Sequence, residues 1–106
     1  MTPTEFRQYL HGLGLNQQHV SALVGVQDRT VRRWASGRIS VPEDVHEMLI
    51  DLDNDVTQAV GQILKNKKAS NDFSGIPVKV EAALQDTINR RVAEAKRLRK
   101  SDKKGD

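Results

Sequence analysis

The sequence predicts an all-α fold for a chain of 106 residues, and three observations predict it. Apolar residues recur at helical spacing along most of the chain, whereas no convincing strand pattern is present. Gly14, Gly25 and Gly37 each follow such a stretch, where a glycine can end a helix in the left-handed conformation. Pro3 and Pro42 stand where proline favours the first turn of a helix.

The first helix is predicted to begin at the capping box Thr2-Pro3-Thr4-Glu5. Its apolar positions are Phe6, Leu10 and Leu13, and Gly14 ends it.

Asn16 is expected to cap a second helix, which Gly25 ends. Its apolar positions are Val20, Leu23 and Val24. A third helix is predicted over about residues 28–36, with Val31 and either Trp34 or Ala35 facing inward.

A long fourth helix is predicted from Pro42 to about Leu64, with Glu43 and Asp44 in its first turn. A break at residues 53–55 is the alternative. One apolar face continues through the segment and contains Val45, Met48, Leu49, Leu52, Val56, Ala59, Val60 and Ile63.

The remainder of the chain divides into a linker, a last helix and a tail. Residues 66–77 are polar and contain Gly75 and Pro77, which predicts a linker. The last helix is predicted over residues 78–100, with Arg91 intruding on its apolar stripe of Val80, Leu84, Ile88, Val92, Ala95 and Leu98. Residues 101–106 are expected to form a loose tail.

Charge divides the chain into a basic head, an acidic middle and a basic end. Residues 1–41 contain five arginines against two acidic residues, residues 42–64 contain six acidic residues and no Lys or Arg, and residues 65–106 contain twelve basic residues against six acidic ones. This asymmetry and the net charge of +3 favour an anionic partner of the basic parts.

The composition also argues against several kinds of protein. Cysteine is absent, which is consistent with a cytoplasmic protein and rules out disulfides. We expect no signal peptide, membrane span, metal site or cofactor, and no enzymatic activity, because no nucleophile or phosphate-binding loop accompanies the acidic residues. His11, His19 and His46 lack the spacing of metal ligands.

The segment GVQDRTVRRW places three arginines around a core residue, Val31. Two short helices separated by a glycine turn form the helix-turn-helix pattern, and small Ser21 allows the two helices to approach closely. In this geometry the second helix enters the major groove of DNA. Arg29, Arg32 and Arg33 would then face outward while Val31 and Trp34 face the core.

The stretch LGLNQQHVSALVGVQDRTVRRWASGRISVP resembles the helix-turn-helix of the phage Cro and repressor family, also called the XRE family. The matching positions are Leu15, Asn16, Gln17, Val20, Ser21, Gly25, Val26, Thr30, Val31, Trp34, Gly37 and Pro42. The next segment, VPEDVHEMLIDL, is similar to the step into a long helix in the anti-CRISPR-associated repressors of phages and mobile elements. The resemblance to the phage Cro and repressor family implies a compact helical domain that binds operator DNA as a dimer.

By this resemblance, Gln17 matches a position that contacts phosphate, and Arg38 lies in a loop that touches the DNA backbone. Gln27 often has a serine or threonine counterpart that caps the helix, so Asp28 is the alternative cap. The predicted DNA-binding residues are Asn16, Gln17, Gln27, Asp28, Arg29, Thr30, Arg32, Arg33 and Arg38.

A symmetric dimer would bury the apolar residues that a helix-turn-helix alone leaves unused. The residues predicted for this contact are Val56, Val60, Ile63, Leu84, Ile88 and Val92. The alternative is that the last helix folds back on its own domain.

The sequence therefore predicts a cytoplasmic transcriptional regulator, a repressor of its own operon in a phage or mobile element, that binds a palindromic operator as a homodimer. One alternative is the antitoxin of a toxin–antitoxin pair, in which residues 66–106 bind the toxin. A second alternative is an RNA-binding module that uses the basic last helix.

Overall fold

The computed structural model describes residues 1–65, 73 and 75–104, and these residues form five helices and no strand. The helices are α1 (Pro3–Leu13), α2 (Gln17–Val24), α3 (Asp28–Ser36), α4 (Glu43–Leu64) and α5 (Val78–Lys104). The prediction of an all-α fold is confirmed.

The ends of α1 are set by the signals seen in the sequence. The Glu5 N–H donates to the Thr2 hydroxyl oxygen at 3.1 Å, and the Thr2 N–H donates to the Glu5 carboxylate at 3.2 Å. Gly14 ends the helix with φ of 70°, and a Cβ atom there would strike the Thr87 hydroxyl of α5. Phe6, Leu10 and Leu13 are buried, as predicted.

Helix α4 is continuous across residues 53–55, so the prediction of one long helix is confirmed and the alternative break is absent. Its buried residues are Val45, Leu49, Leu52, Val56 and Ala59, which lie on the predicted stripe. The exposed side of α4 contains most of the acidic residues in the middle of the chain. A single helix thus separates an apolar face from an acidic one.

Helix α5 folds back onto its own chain and packs against α4, α1 and α2. Its residues Val80, Leu84, Ile88 and Val92 join one hydrophobic core with residues of the other four helices. Arg91, which interrupts the apolar stripe in sequence, donates from Nη2 to the Gly12 carbonyl oxygen at 2.6 Å. The same nitrogen lies 3.4 Å from an Asp53 carboxylate oxygen.

The prediction of a dimer contact is therefore corrected for four of its six residues. Val56, Leu84, Ile88 and Val92 are buried within a single chain, and Val60 and Ile63 are half-buried against the same core. The physical reason is that α4 and α5 bury their apolar stripes against each other, so no second chain is needed to cover them. The alternative, in which the last helix folds back, describes the structure.

One residue of the predicted linker packs into the core, and the end of α5 differs from the prediction. Phe73, within the predicted linker 66–77, is only 5% exposed and packs into the core. Residues 66–72 and 74 lie outside the described residues. Helix α5 continues through Lys104, into the predicted tail 101–106, and residues 105–106 also lie outside the described residues.

Candidate nucleic-acid interface

Helices α2 and α3 are joined by a tight turn at Gly25 and Val26. Gly25 has φ of 79°, a left-handed conformation that favours glycine. Its N–H donates to the Ser21 carbonyl oxygen at 2.9 Å, and the Ser21 hydroxyl donates to the Val26 carbonyl oxygen. Ser21 was predicted only as a small residue between two helices. Its hydroxyl also ties the end of α2 to the turn, which fixes the direction in which α3 begins.

The inner face of α3 is anchored in the core. Val31 is fully buried and Trp34 is 3% exposed, as predicted. The Trp34 ring meets the Phe6 ring edge to face, with the ring centroids 6.1 Å apart. The Arg7 guanidinium of α1 donates from Nη1 to the Ala35 carbonyl oxygen at 2.9 Å. These contacts fix the rotation of α3 about its own axis.

The outer face of α3 is strongly basic. Arg29, Arg32 and Arg33 are exposed, and Arg38 is exposed in the loop that follows. Among the side chains described in residues 1–65, 73 and 75–98, none of these four arginines has an ion-pair partner. Arg29 and Arg33 are four residues apart, so they are neighbours on the helix surface. The fold therefore leaves a cluster of cations available to an anionic ligand.

The first turn of α3 starts at Gln27, without help from its side chain. Gln27 is the N-cap residue and makes no side-chain capping bond, and Asp28 is the first helical residue. The alternative cap at Asp28 is therefore not used. Asp28 is exposed in the first turn of α3, where the helix dipole favours an anion. Thr30 is half-buried. Of the predicted DNA-binding residues in and just before α3, Gln27, Arg29, Arg32 and Arg33 are exposed and able to donate hydrogen bonds.

The start of α2 is held by a reciprocal cap. The His19 N–H donates to Asn16 Oδ1 at 2.9 Å, and the Asn16 N–H donates to His19 Nδ1 at 3.0 Å. The second bond was not predicted, although a histidine three residues after a capping Asn was a visible signal. The Asn16 side-chain oxygen is occupied by this cap, so Asn16 supports the site more than it offers a free acceptor.

Gln17 opens α2 and is half-buried beside an open groove of about 610 Å³. Arg7 and Gln18 line the same groove, which runs from the start of α2 to Ala35 at the end of α3. The predicted phosphate-contacting residue is thus placed at the rim of the surface formed by α2 and α3.

Most of the acidic residues of helix α4 are exposed to solvent. Its exposed acidic residues are Glu43, Asp44, Glu47, Asp51 and Asp55. They lie on the side of α4 that faces away from the core. Asp53 is directed instead toward Arg91 of α5.

Comparison of the chain with protein-family models, with curated proteins and with solved structures found no match. Among the described residues, no cluster of His, Asp or Glu could hold a metal ion. No helix in the same part of the chain has the length and apolar character that crossing a bilayer requires.

Proposed function

We propose that this chain is a sequence-specific DNA-binding transcriptional regulator that acts as a repressor. The observation that carries the proposal is the two-sided character of α3. Val31 and Trp34 fix one side of this helix in the core, and the other side presents Arg29 and Arg33 to solvent. Arginine is well suited to the major groove because its guanidinium forms paired hydrogen bonds with guanine O6 and N7.

The flanks of α3 support DNA as the partner. Half-buried Gln17 lies at the start of α2, and exposed Arg38 lies in the loop after α3. Polar and basic side chains in such positions contact phosphate and set the register of the recognition helix on the duplex. Asp28 gives the first turn a negative charge, which can accept a hydrogen bond from a cytosine amino group.

We further propose that two chains bind together on a palindromic operator. One short helix contacts only a few base pairs, so specificity requires a second copy about 34 Å away along the same face of the DNA. A repressor of this kind would bind near its own promoter and exclude RNA polymerase.

The two alternatives receive less support from the contacts of α5. An antitoxin would need an accessible apolar stripe to bind its toxin, but Leu84, Ile88 and Val92 are buried in the chain's own core. An RNA-binding module would rely on the exposed basic residues of α5 and would not need the anchored geometry of α3.

The test is a binding experiment on the full chain with DNA from around its own gene. Nuclease protection should reveal two related half-sites, and affinity for that duplex should exceed affinity for a shuffled duplex about a thousandfold or more. Equal affinity for the two duplexes would overturn sequence-specific regulation. A preference for structured RNA over both duplexes would favour the RNA-binding alternative.

A further inference from the structure

One face of α5 borders the N-terminal end of α2 and forms an open groove with it. The groove has a volume of about 400 Å³. Gly14 and His19 line one side, and Lys79, Asp86 and Arg90 of α5 line the other. The His19 ring uses Nδ1 to cap α2, so Nε2 is the nitrogen left for a ligand. The helix-turn-helix itself does not explain this second polar groove.

The basic residues of that face continue along α5 in register. Arg90 lies 11 residues after Lys79, and Arg97 lies 18 residues after Lys79. These separations correspond to about three and five turns of an α-helix, so the three residues share one face. All three side chains are exposed, and none forms an ion pair with the side chains described within residues 1–65, 73 and 75–98. Asp86 lies on the same face four residues before Arg90, yet it is not within ion-pair distance of Arg90. The row spans roughly 27 Å along the helix axis.

This row lies next to the place where the proposed interface meets the DNA backbone. Gln17, the proposed phosphate contact, and His19 both lie in the first turn of α2, about 200° apart around the helix, and line different grooves. A DNA strand that passes across the N-terminal end of α2 would therefore meet Gln17 on one side and the groove with α5 on the other. The charge, the exposure and the repeat of the row suit a linear array of phosphates.

We infer that Lys79, Arg90 and Arg97 form a second row of contacts to the DNA backbone, outside the base pairs that α3 contacts. This inference rests on the proposed function. The row binds phosphate regardless of sequence, so it raises affinity and extends the protected segment of DNA without changing the preferred operator. It also gives α5 a role in binding besides its part in the core.

The test measures how binding of the full chain depends on salt. Each lost phosphate contact should reduce the slope of log affinity against log salt by about 0.9. For the triple variant Lys79→Gln, Arg90→Gln, Arg97→Gln, which loses three contacts per chain, raising salt from 50 to 200 mM should therefore weaken binding about 40-fold less than for the wild type for each chain bound. Its affinities for operator and random duplexes should fall by the same factor, and nuclease protection should shorten at its outer edges.

Two further variants make the test specific to the row. Lys96→Gln removes an exposed charge beside Arg97 that lies about 100° around the helix from the row, so the salt slope should stay at the wild-type value. Asp86→Asn removes the negative charge within the row, so binding to both duplexes should tighten. All of these side chains are exposed, and circular dichroism should show an unchanged fold.

Several outcomes would overturn the inference. One is an unchanged salt slope in the triple variant. Another is a salt slope that Lys96→Gln reduces as much as Arg97→Gln alone does, which would indicate an effect of net charge only. A triple variant that keeps its DNA affinity and loses RNA binding would assign the row to RNA. If instead the wild-type chain fails to distinguish its operator from random DNA, the proposed function fails, whatever the salt slopes are.

Discussion

The Thr87 hydroxyl donates a hydrogen bond to the Leu13 carbonyl oxygen at 2.6 Å and so joins the middle of α5 to the C-terminal end of α1. Thr87 is 2% exposed and is the only buried polar residue among those that the structure describes. The last carbonyl groups of a helix have no partner within that helix. Helix α5 therefore supplies part of the C-terminal cap of α1, which lies directly before α2.

Replacing Thr87 with Val should destabilise the fold by about 1–3 kcal/mol, because a buried carbonyl group loses its donor while the side chain keeps nearly the same shape. Urea unfolding followed by circular dichroism would measure the change. Thr57→Val is the matched control, since Thr57 is exposed on α4. Equal stabilities of the two variants would mean that the bond to Leu13 contributes nothing.

Replacing Ile88 with Ala should reduce the free energy of unfolding by about 2–5 kcal/mol, because it leaves a cavity where α5 meets the core. Leu98→Ala is the control on the same helix, because Leu98 is 66% exposed. Equilibrium unfolding at two protein concentrations would also separate packing within one chain from packing between chains. An Ile88→Ala variant that keeps wild-type stability but changes its oligomeric state would restore the dimer interpretation of the stripe.

The contrast between helix bounds and helix packing shows what the sequence could predict. Local signals such as the Thr2–Glu5 capping box and Gly25 depend on neighbouring residues, so they can be recognised in the sequence. The stripe containing Ile88 has the same pattern whether it packs on its own chain or on a second one. Arg91 looked like an interruption, because its partner, the Gly12 carbonyl oxygen, is 79 residues away in the sequence.

The same distinction applies to the candidate site. The outward direction of Arg29 and Arg33 follows from helical periodicity once Val31 and Trp34 are taken as core, and the structure confirms both assignments. The groove between α2 and α5 could not be predicted, because it depends on where α5 docks. Phe73 could not be placed either, because a single aromatic residue in a polar segment has no period to indicate its direction.

Replacing Trp34 with Ala should cost about 3–5 kcal/mol of stability, because the indole is buried against Phe6. Arg32→Ala, on the exposed face of the same helix, should change stability by about 0.5 kcal/mol or less. Circular dichroism is the suitable probe, because Trp34 is the only tryptophan of the chain. If both variants unfold at the same urea concentration, Trp34 does not anchor α3.

The capping box of α1 should make stability depend on pH. The Thr2 backbone N–H, and after it the Thr2 side chain, lower the pKa of Glu5 below its ordinary value of 4.5. Because the folded pKa is depressed, this stabilisation is fully present above pH 4.5 and is lost as pH falls through the folded pKa. Glu5→Gln should therefore be less stable than wild type at neutral pH, and the difference should shrink at acid pH.

Urea unfolding across that pH range would measure the effect. Glu47→Gln, at an exposed position within α4, is the control for removing one carboxylate. A stability difference between wild type and Glu5→Gln that stays constant down to the acid limit would show that the charge of Glu5 does not contribute through the cap.

The most direct prediction for the proposed function concerns Arg29 and Arg33, which share the exposed face of α3. If each guanidinium contacts guanine O6 and N7, each Ala substitution should cost about 1–3 kcal/mol on operator DNA and little on random DNA. Arg38→Ala is the matched control. This arginine is exposed in the loop after α3, where a phosphate contact would weaken binding to both duplexes alike. Titration of labelled operator and random duplexes at one fixed salt concentration would give the ratio of the two affinities for each variant. Since all three arginines are exposed, their removal should leave the fold intact, and a change in the ratio of the two affinities can be assigned to the interface. If Arg29→Ala and Arg33→Ala lower both affinities equally, as expected for Arg38→Ala, these arginines bind phosphate only, and base recognition must come from another part of the chain.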